Sequence, residues 1–368
     1  LSGKFDLYLS IAHDKGLCAL VKRCKEIYME YFLGEYIEDS VQHEVLDTAT
    51  NKAEYCQYRA AIIRNNCLTK FRGWDKGQIG EKSREKVLDS IINEKIFFST
   101  ALGYNDPYDT LLYVNKRSLL KFVGESLDRE MSTYIAELKK KNFPMGCFAQ
   151  MFWTPENREK FLQSIDDEIA AIKIAIHDNI KGICLSQNTL SSLMWAHYAK
   201  DHTGVALLYD SHELSSAKCY SETGQVLNEK FELHPINYCE KRPDATKFIH
   251  DYLLYKASEK TFPVTFSGDI LEYPDYDTIR EIILTKDTIW SYEKEIRLIP
   301  QILNYWRRSN VAYLKIKPKA IILGAKMISS DKDIFVEAAV KAGDIVIYEA
   351  VLNDSQPGYE IGFQEIDL

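Results

Sequence analysis

The sequence lacks the features that mark membrane and secreted proteins. It contains no apolar stretch of about 18 residues, which excludes an ordinary membrane-spanning helix. The first ten residues do not show the basic-then-apolar order of a signal peptide. We therefore expect no membrane partner and a cytoplasmic location.

Metal-binding and phosphate-loop signatures are also missing. The eight cysteines are scattered, with no CxxC pair and no Cys/His cluster at zinc-ligand spacing. No glycine-rich loop of the GxGxxG or P-loop type is present. We therefore predict reduced thiols and no metal site, and the chain is not expected to be an ordinary dehydrogenase or P-loop enzyme.

Positive charge is not in excess. The chain has 46 Lys and Arg against 54 Asp and Glu, which gives a formal net charge of −8. The chain as a whole therefore has no electrostatic footprint for nucleic-acid backbones or anionic membranes, although a local basic patch is compatible with this total. The apolar share of 46% is ordinary for a packed globular protein.

The pattern of the sequence changes near residue 67. Before it, apolar residues recur at helical spacing over Phe5 to Tyr36 and again over residues 41–63, with no strand signal between them. After it, strands and helices alternate in uneven clusters. We predict an α+β core, a mixed sheet flanked by helices, over residues 67–368. Residues 1–66 are predicted to form a helical N-terminal extension, where we expect a protein partner to bind.

Five ordered motifs lie in the core. They are Lys70-Phe71-Arg72; Lys95 to Ser99 with Tyr104 to Asp109; Leu185-Ser186 with Leu193 to Ala199 and His202 to Gly204; Lys286, Trp290 and Tyr292 to Ile299; and Ala320 to Met327. In this order they resemble a bacterial family, domain of unknown function 2971, and the resemblance spans about residues 67–368. The family name confers no activity.

The order of these elements is also similar to the three-motif layout of the ADP-ribosyltransferase fold. An Arg-ending strand, an aromatic strand ending in Ser and a late strand with Glu-x-Glu follow one another. This similarity implies an enzyme that uses NAD as a substrate and transfers ADP-ribose to a protein or nucleic acid. Such an enzyme could serve as a toxin or antiphage effector.

The Glu-x-Glu motif supplies the candidate catalytic residues. Residues two apart on a strand lie on one face, roughly 6–7 Å apart, so Glu293, Glu295 and Arg297 are predicted to share a face. One carboxylate would stabilise positive charge on the ribose carbon, and the other would orient or deprotonate the acceptor. The alternative is a simple ion pair of Glu295 with Arg297 on a solvated strand.

Three residues of the earlier strands are candidates for NAD binding. Arg72, or Lys70 on the same face, could hold the pyrophosphate because a guanidinium makes bidentate contacts to phosphate oxygens. Ser99 could hydrogen-bond the nicotinamide ribose. The alternatives are surface cations and a strand-end turn residue.

A turn and a short helix supply the other candidates for NAD binding. Asn105 and Asp106 close an Asx-type turn beside a strand end, where ligands commonly bind. In the helix near residues 191–199, Trp195 or Tyr198 could stack on a flat ring and His197 could donate a hydrogen bond. The alternative is a core histidine, with the turn residues purely structural.

Two other functions remain open. The chain could be a non-catalytic sensor module of a defence or stress system, in which the same clusters hold a ligand or a partner peptide. It could also be a metal-dependent nuclease in which Asp106, Asp109, Glu293 and Glu295 gather a magnesium ion.

Overall fold

A computed structural model describes residues 66–74, 78–140, 154–261, 276–303, 309–352 and 361–367. Apart from Asn66, the helical extension predicted over residues 1–66 lies outside the described residues, and so does the protein partner expected for it. The α+β prediction for the core is confirmed.

The strands and helices have the following bounds. The strands are β1 (Cys67–Arg72), β2 (Lys95–Phe97), β3 (Ser99–Thr100), β4 (Lys181–Ser186), β5 (Val205–Asp210), β6 (Lys218–Ser221), β7 (Val226–Leu227), β8 (Phe231–Pro235), β9 (Asn237–Cys239), β10 (Thr285–Asp287), β11 (Glu295–Pro300), β12 (Val311–Lys315), β13 (Ala320–Leu323), β14 (Val346–Leu352) and β15 (Ile361–Glu365). The helices are α1 (Gln78–Ile92), α2 (Lys116–Lys140), α3 (Pro155–Asn179), α4 (Ser192–Tyr198), α5 (Ser211–Ser216), α6 (Thr246–Thr261), α7 (Tyr276–Ile283) and α8 (Ser329–Ala342), with 3-10 turns at Ala101–Gly103 and Thr288–Glu293.

The main sheet has nine strands in the order β15-β14-β13-β5-β1-β4-β11-β8, with β3 paired to β4. Strands β13 and β14 are parallel, whereas β1 pairs antiparallel with β4 and β5. The sheet is therefore mixed. Every residue of β5 and β13 is buried, which accounts for their nearly continuous apolar sequences.

Two layers cover the main sheet. On one face, a first apolar cluster joins α1, α8 and a four-stranded sheet of order β2-β12-β6-β7. On the other face, a second cluster gathers α2, α3, α6 and α7, and a third gathers α4 with β1, β5 and β13. The side chains of β11 alternate between the two faces of the main sheet: Ile296 and Leu298 belong to the first cluster and Ile299 to the second.

The sequence prediction differs from the structure at two places. The expected strand over 293–299 begins only at Glu295, because Glu293 ends a 3-10 turn and Lys294 has a left-handed backbone (φ 43°). Helix α5 and strands β6, β7 and β10 were not predicted. Each of them has six residues or fewer, which is too short for a clear hydrophobic period.

A crossing of three backbone segments requires glycine at position 204. A Cβ built on Gly204 would lie 2.1 Å from the Arg72 carbonyl oxygen and 2.9 Å from that of Ala199. The Gly204 amide donates to Ala199 O at 2.8 Å, and the Gly324 amide donates to Gly204 O at 2.9 Å. The close approach at Gly204 is thus made by other segments of the protein's own backbone.

None of the helices in the described part of the chain combines the length and apolar character that a membrane crossing requires.

Gly204→Ala should lower the free energy of unfolding by about 3 kcal/mol, because the added methyl group overlaps backbone atoms that cannot rotate away. Urea unfolding monitored by circular dichroism measures this. Gly103→Ala is the matched control, since the nearest atom to its Cβ is Ser99 Cβ at 3.9 Å. An equal, small effect of both substitutions would show that the crossing is not tightly packed.

Candidate functional site

Arg297 is the centre of a buried cluster of charges. Its Nη1 and Nη2 donate to the two carboxylate oxygens of Asp109 at 2.9 and 2.6 Å, while Nε donates to Glu295 at 2.7 Å. Nη1 also donates to Ile283 O, at the end of α7, at 2.5 Å. The side chain is 0% exposed. Arg297 therefore joins β11, α7 and the turn that carries Asp109.

Lys286 is the second cation of the cluster. Its Nζ lies 2.6 Å from Glu293, 3.2 Å from Glu295 and 3.6 Å from Asp109. Its side chain is 3% exposed. Three carboxylates and two cations thus share one desolvated site between the second and third apolar clusters. The alternative of an ion pair on a solvated strand is wrong, because the side chains of Glu295 and Arg297 are both buried.

The backbone around Glu293 is fixed by its own hydrogen bonds. Asp287 caps the 3-10 turn by accepting from the Ile289 amide at 3.0 Å. Ser186 donates its hydroxyl to Glu293 O at 2.5 Å, and Asn188 donates its amide to Tyr292 O at 2.8 Å. These bonds hold the turn against the end of β4, so the Glu293 carboxylate points into the cluster even though Glu293 is not on the strand.

The two glutamates differ in their surroundings. Burial raises the pKa of Glu295, but Arg297 and Lys286 outweigh it, so the pKa of Glu295 lies well below its usual value. For Glu293, burial together with the neighbouring Glu295 outweighs Lys286, and its pKa is raised. Glu295 is therefore a fixed anion, and of the two carboxyl groups Glu293 is the one that takes up a proton at the higher pH.

A chain of polar side chains links Glu293 to the surface. The Tyr198 hydroxyl donates to Glu293 Oε1, and Asn105 Nδ2 donates to the Tyr198 oxygen at 2.8 Å. Burial, followed by the hydrogen bond to Glu293, raises the pKa of Tyr198. Beside this chain, the Tyr292 hydroxyl and His197 Nδ1 are 3.0 Å apart. Four residues predicted for the site (Asn105, His197, Tyr198 and Glu293) therefore lie together.

The two candidate pyrophosphate ligands face the other way. Lys70 and Arg72 alternate with Phe71 on β1, and Phe71 packs edge-on against Trp195 in the third cluster. Both cations therefore share the face of Leu68, in the first cluster, opposite to the face of Glu295. Lys70 Nζ donates to Cys184 O at 2.6 Å, and burial followed by Arg72 lowers the pKa of Lys70 to about 8.

Three further candidates have roles in the fold that account for their positions. Trp195 is 0% exposed and donates its indole N–H to Thr189 O at 2.9 Å, so it cannot stack on a ligand in this state. Asp106 is buried and accepts from the Tyr108 amide at 2.9 Å, as an Asx turn does. Ser99 pairs with Gly182, four residues from Ser186 on β4 and so about 13 Å from the Glu293 turn.

Sequence reasoning gave Asp109 a role only in the magnesium alternative, and it gave no role to Lys286 and Tyr104. All three residues were within the quoted motifs, and the Tyr104 ring lies 4.8 Å from the Arg297 guanidinium carbon. The partners Asp109 and Arg297 are 188 residues apart in the chain. Strand periodicity gives no signal for a pairing across that distance.

The arrangement can hold a proton donor or acceptor at Glu293 more readily than a metal. Asp109, Glu293 and Glu295 do converge, as the nuclease hypothesis required, but they converge on Lys286 and Arg297. Among the described residues, no group of three or more His, Cys, Asp or Glu side chains is placed to hold a metal ion.

A family model described as protein of unknown function (DUF2971) matches residues 194–298. This confirms the family resemblance over that segment, which contains His197, Tyr198, Lys286, both glutamates and Arg297. The remainder of the predicted range, including Asp109, lies outside the match. No curated protein and no solved structure matches the chain.

Arg297→Met should lower the free energy of unfolding by about 3–5 kcal/mol, because it removes one of the cluster's two cations and leaves Lys286 to face three buried carboxylates. Denaturant titration at pH 7 measures the loss. Lys319→Met is the control, since it breaks an exposed 2.7 Å pair with Glu213 and should cost about 0–1 kcal/mol. Similar losses for the two variants would contradict the importance of the buried cluster.

The stability of the protein should fall in acid partly through Glu295. Because its folded pKa is depressed, its contribution is present above the ordinary value of 4.5 and is lost as the pH falls below it. Urea unfolding between pH 3 and 7 should therefore give a shallower acid limb for Glu295→Gln than for the wild type. The exposed Glu281→Gln should keep the wild-type slope. An unchanged slope for Glu295→Gln would show that the pKa of Glu295 is not depressed in the folded protein.

Proposed function

We propose that this protein, whose residues 194–298 match a family of unknown function, is an enzyme that transfers ADP-ribose from NAD. Glu293 is its single catalytic carboxylate, and Glu295 is a positioning residue. The observation that carries the proposal is the different bonding of the two glutamates: both oxygens of Glu295 are bonded to Arg297, whereas Glu293 connects through Tyr198 and Asn105 to the surface.

The proposed reaction needs one carboxylate near the ribose. The bond from ribose C1′ to the nicotinamide nitrogen breaks, and nicotinamide leaves with the electron pair. An acceptor N–H or O–H then bonds to C1′ and gives up its proton. A carboxylate held in a desolvated site stabilises the positive charge that grows at C1′, and one with a raised pKa is the better base for the acceptor proton.

Flat and amide side chains lie between Glu293 and the surface. The rings of His197 and Tyr292 are 5.9 Å apart, and those of Trp290 and Tyr292 are 6.1 Å apart. Asn105 is exposed and adds an amide group. Aromatic faces and an amide suit the stacking and hydrogen bonding of a nicotinamide ring. Tyr198 and His197 keep the binding roles proposed for them, whereas the buried Trp195 does not.

The proposal no longer includes a pyrophosphate grip by Lys70 and Arg72. Both lie on the face of β1 that turns away from Glu295, and Lys70 is already bonded to Cys184 O. The cluster cations Lys286 and Arg297 are occupied by carboxylates. The diphosphate of NAD must therefore contact other groups, and the proposal rests on Glu293 alone.

One observation favours a second candidate, a binding module without catalysis. Glu293 accepts from both Lys286 and Tyr198, so all three carboxylates of the cluster are paired without a ligand. In that case the aromatic and amide groups around Asn105 would hold a ligand, and the charge on Glu293 would be dispensable.

Release of nicotinamide from ring-labelled NAD, with cell-lysate protein or RNA as acceptor, tests the first candidate. Glu293→Gln should reduce the rate about 100-fold or more, because it removes the carboxylate and keeps the shape. Tyr198→Phe should reduce it less. Glu281→Gln, an exposed glutamate on α7, is the matched control and should leave the rate unchanged.

Calorimetric titration with NAD separates the alternatives. NAD binding retained by Glu293→Gln, with nicotinamide release lost, supports catalysis at Glu293. Binding without release in the wild type, unaffected by Glu293→Gln, supports the binding module. Neither binding nor release by the wild type would show that NAD is not the ligand.

A further inference from the structure

The small four-stranded sheet β2-β12-β6-β7 carries two aligned rows of side chains on one face. Cross-strand register pairs Phe97 with Tyr313 and Tyr313 with Tyr220, and we call these three the aromatic row. Two residues along each strand, the register pairs Lys95 with Lys315 and Lys315 with Lys218, and we call these three the lysine row.

The residues between the two rows point the opposite way. Ile96, Leu314 and Cys219 are aligned in the same register and are at most 1% exposed, within the first apolar cluster. Because side chains alternate along a strand, both rows must then lie on the solvent face. An irregularity between Val311 and Tyr313 inserts one extra residue, which allows Val311 to be buried while Tyr313 faces outward.

The rings of the aromatic row contact one another and carry cations. Tyr220 and Tyr313 are stacked with centroids 5.3 Å apart and planes 6° apart, and Phe97 lies 6.0 Å from Tyr313. Lys95 Nζ lies 5.1 Å from the Tyr313 centroid, and Lys86 Nζ lies 5.5 Å from that of Phe97. A concavity of about 490 Å³ opens beside Tyr220, Tyr313, Lys95 and Lys315.

The charge of this face is positive in an acidic chain. Among the described residues, Asp89 and Glu94 lie beside it and are paired: Asp89 lies 3.4 Å from Lys95, and Glu94 lies 3.8 Å from Lys317. Lys315, in the middle of the lysine row, and Lys218, at its end, are both exposed. A cationic row beside rings that stand in line suits a ligand whose phosphates and flat bases repeat along a chain.

We propose that this face binds single-stranded nucleic acid, with bases stacking on the aromatic row and phosphates contacting the lysine row. The site is separate from the Glu293 cluster, because the small sheet covers the first apolar cluster and Glu293 lies across the main sheet. Such binding is tolerant of sequence, since every base has a face that can stack. This face would bind single-stranded nucleic acid whether or not the protein uses NAD.

Fluorescence anisotropy with labelled 12-nucleotide DNA and RNA single strands, titrated with the full chain at several NaCl concentrations, tests the proposal. Lys218→Gln/Lys315→Gln should weaken binding about tenfold at low salt and reduce the slope of log affinity against log salt by about 1.4. Tyr220→Leu/Tyr313→Leu should weaken binding about tenfold or more with the slope unchanged. A duplex of the same sequence should bind more weakly than the single strand.

Lys241→Gln/Lys341→Gln is the matched control, since it removes the same charge from two exposed lysines elsewhere. Thermal unfolding of each variant establishes that the tyrosine substitutions leave the fold intact, and the lysine variant tests the site without touching the rings. Absence of strand binding by the wild type at low salt would overturn the proposal. Equal losses in the lysine-row variant and the control, or a preference for duplex, would do the same.

Discussion

The buried guanidinium of Arg297 is the constraint on which the rest of the site depends. It bonds to Asp109, Glu295 and the last carbonyl of α7, so one side chain fixes a turn, a strand and a helix. An ion desolvated to this degree is costly unless its hydrogen bonds are complete, so each partner must keep its position. One consequence is that the two glutamates differ in how readily they take up a proton. Glu295 is held as a permanent anion, and Glu293, joined only to Lys286 and Tyr198, is the carboxyl group left to exchange protons.

The main sheet separates two surfaces with different chemistry. On one side, the charged cluster lies between the second and third apolar clusters and reaches the solvent through Tyr198 and Asn105. On the other side, the small sheet presents aligned aromatic and lysine rows. An enzyme that modifies nucleic acid would use both surfaces. The proposals for the two surfaces rest on different contacts, however, and either proposal can be correct without the other.

Sequence patterns predicted the α+β class of the core, because apolar periods of the helix and strand types alternate along it. The period of two also predicted correctly that Glu295 and Arg297 share a face. It was wrong for Glu293, because a 3-10 turn and a left-handed Lys294 interrupt the alternation one residue before the strand. Burial of the pair and its bond to Asp109 depend on contacts between distant segments. The same holds for Lys70 and Arg72, since only the neighbours of β1 decide which face of the sheet they occupy.

The most direct test of the central claim is the titration of the glutamate carboxyl groups, followed by carbon-13 NMR of carboxyl-labelled protein. Comparison with Glu293→Gln assigns the Glu293 resonance. The claim predicts that this resonance titrates above the ordinary glutamate pKa of 4.5, while Glu295 remains ionised below it. If Glu293 titrates at or below the ordinary value, or if Glu295 takes up its proton at a higher pH than Glu293, Arg297 does not separate the pKa values of the two carboxyl groups.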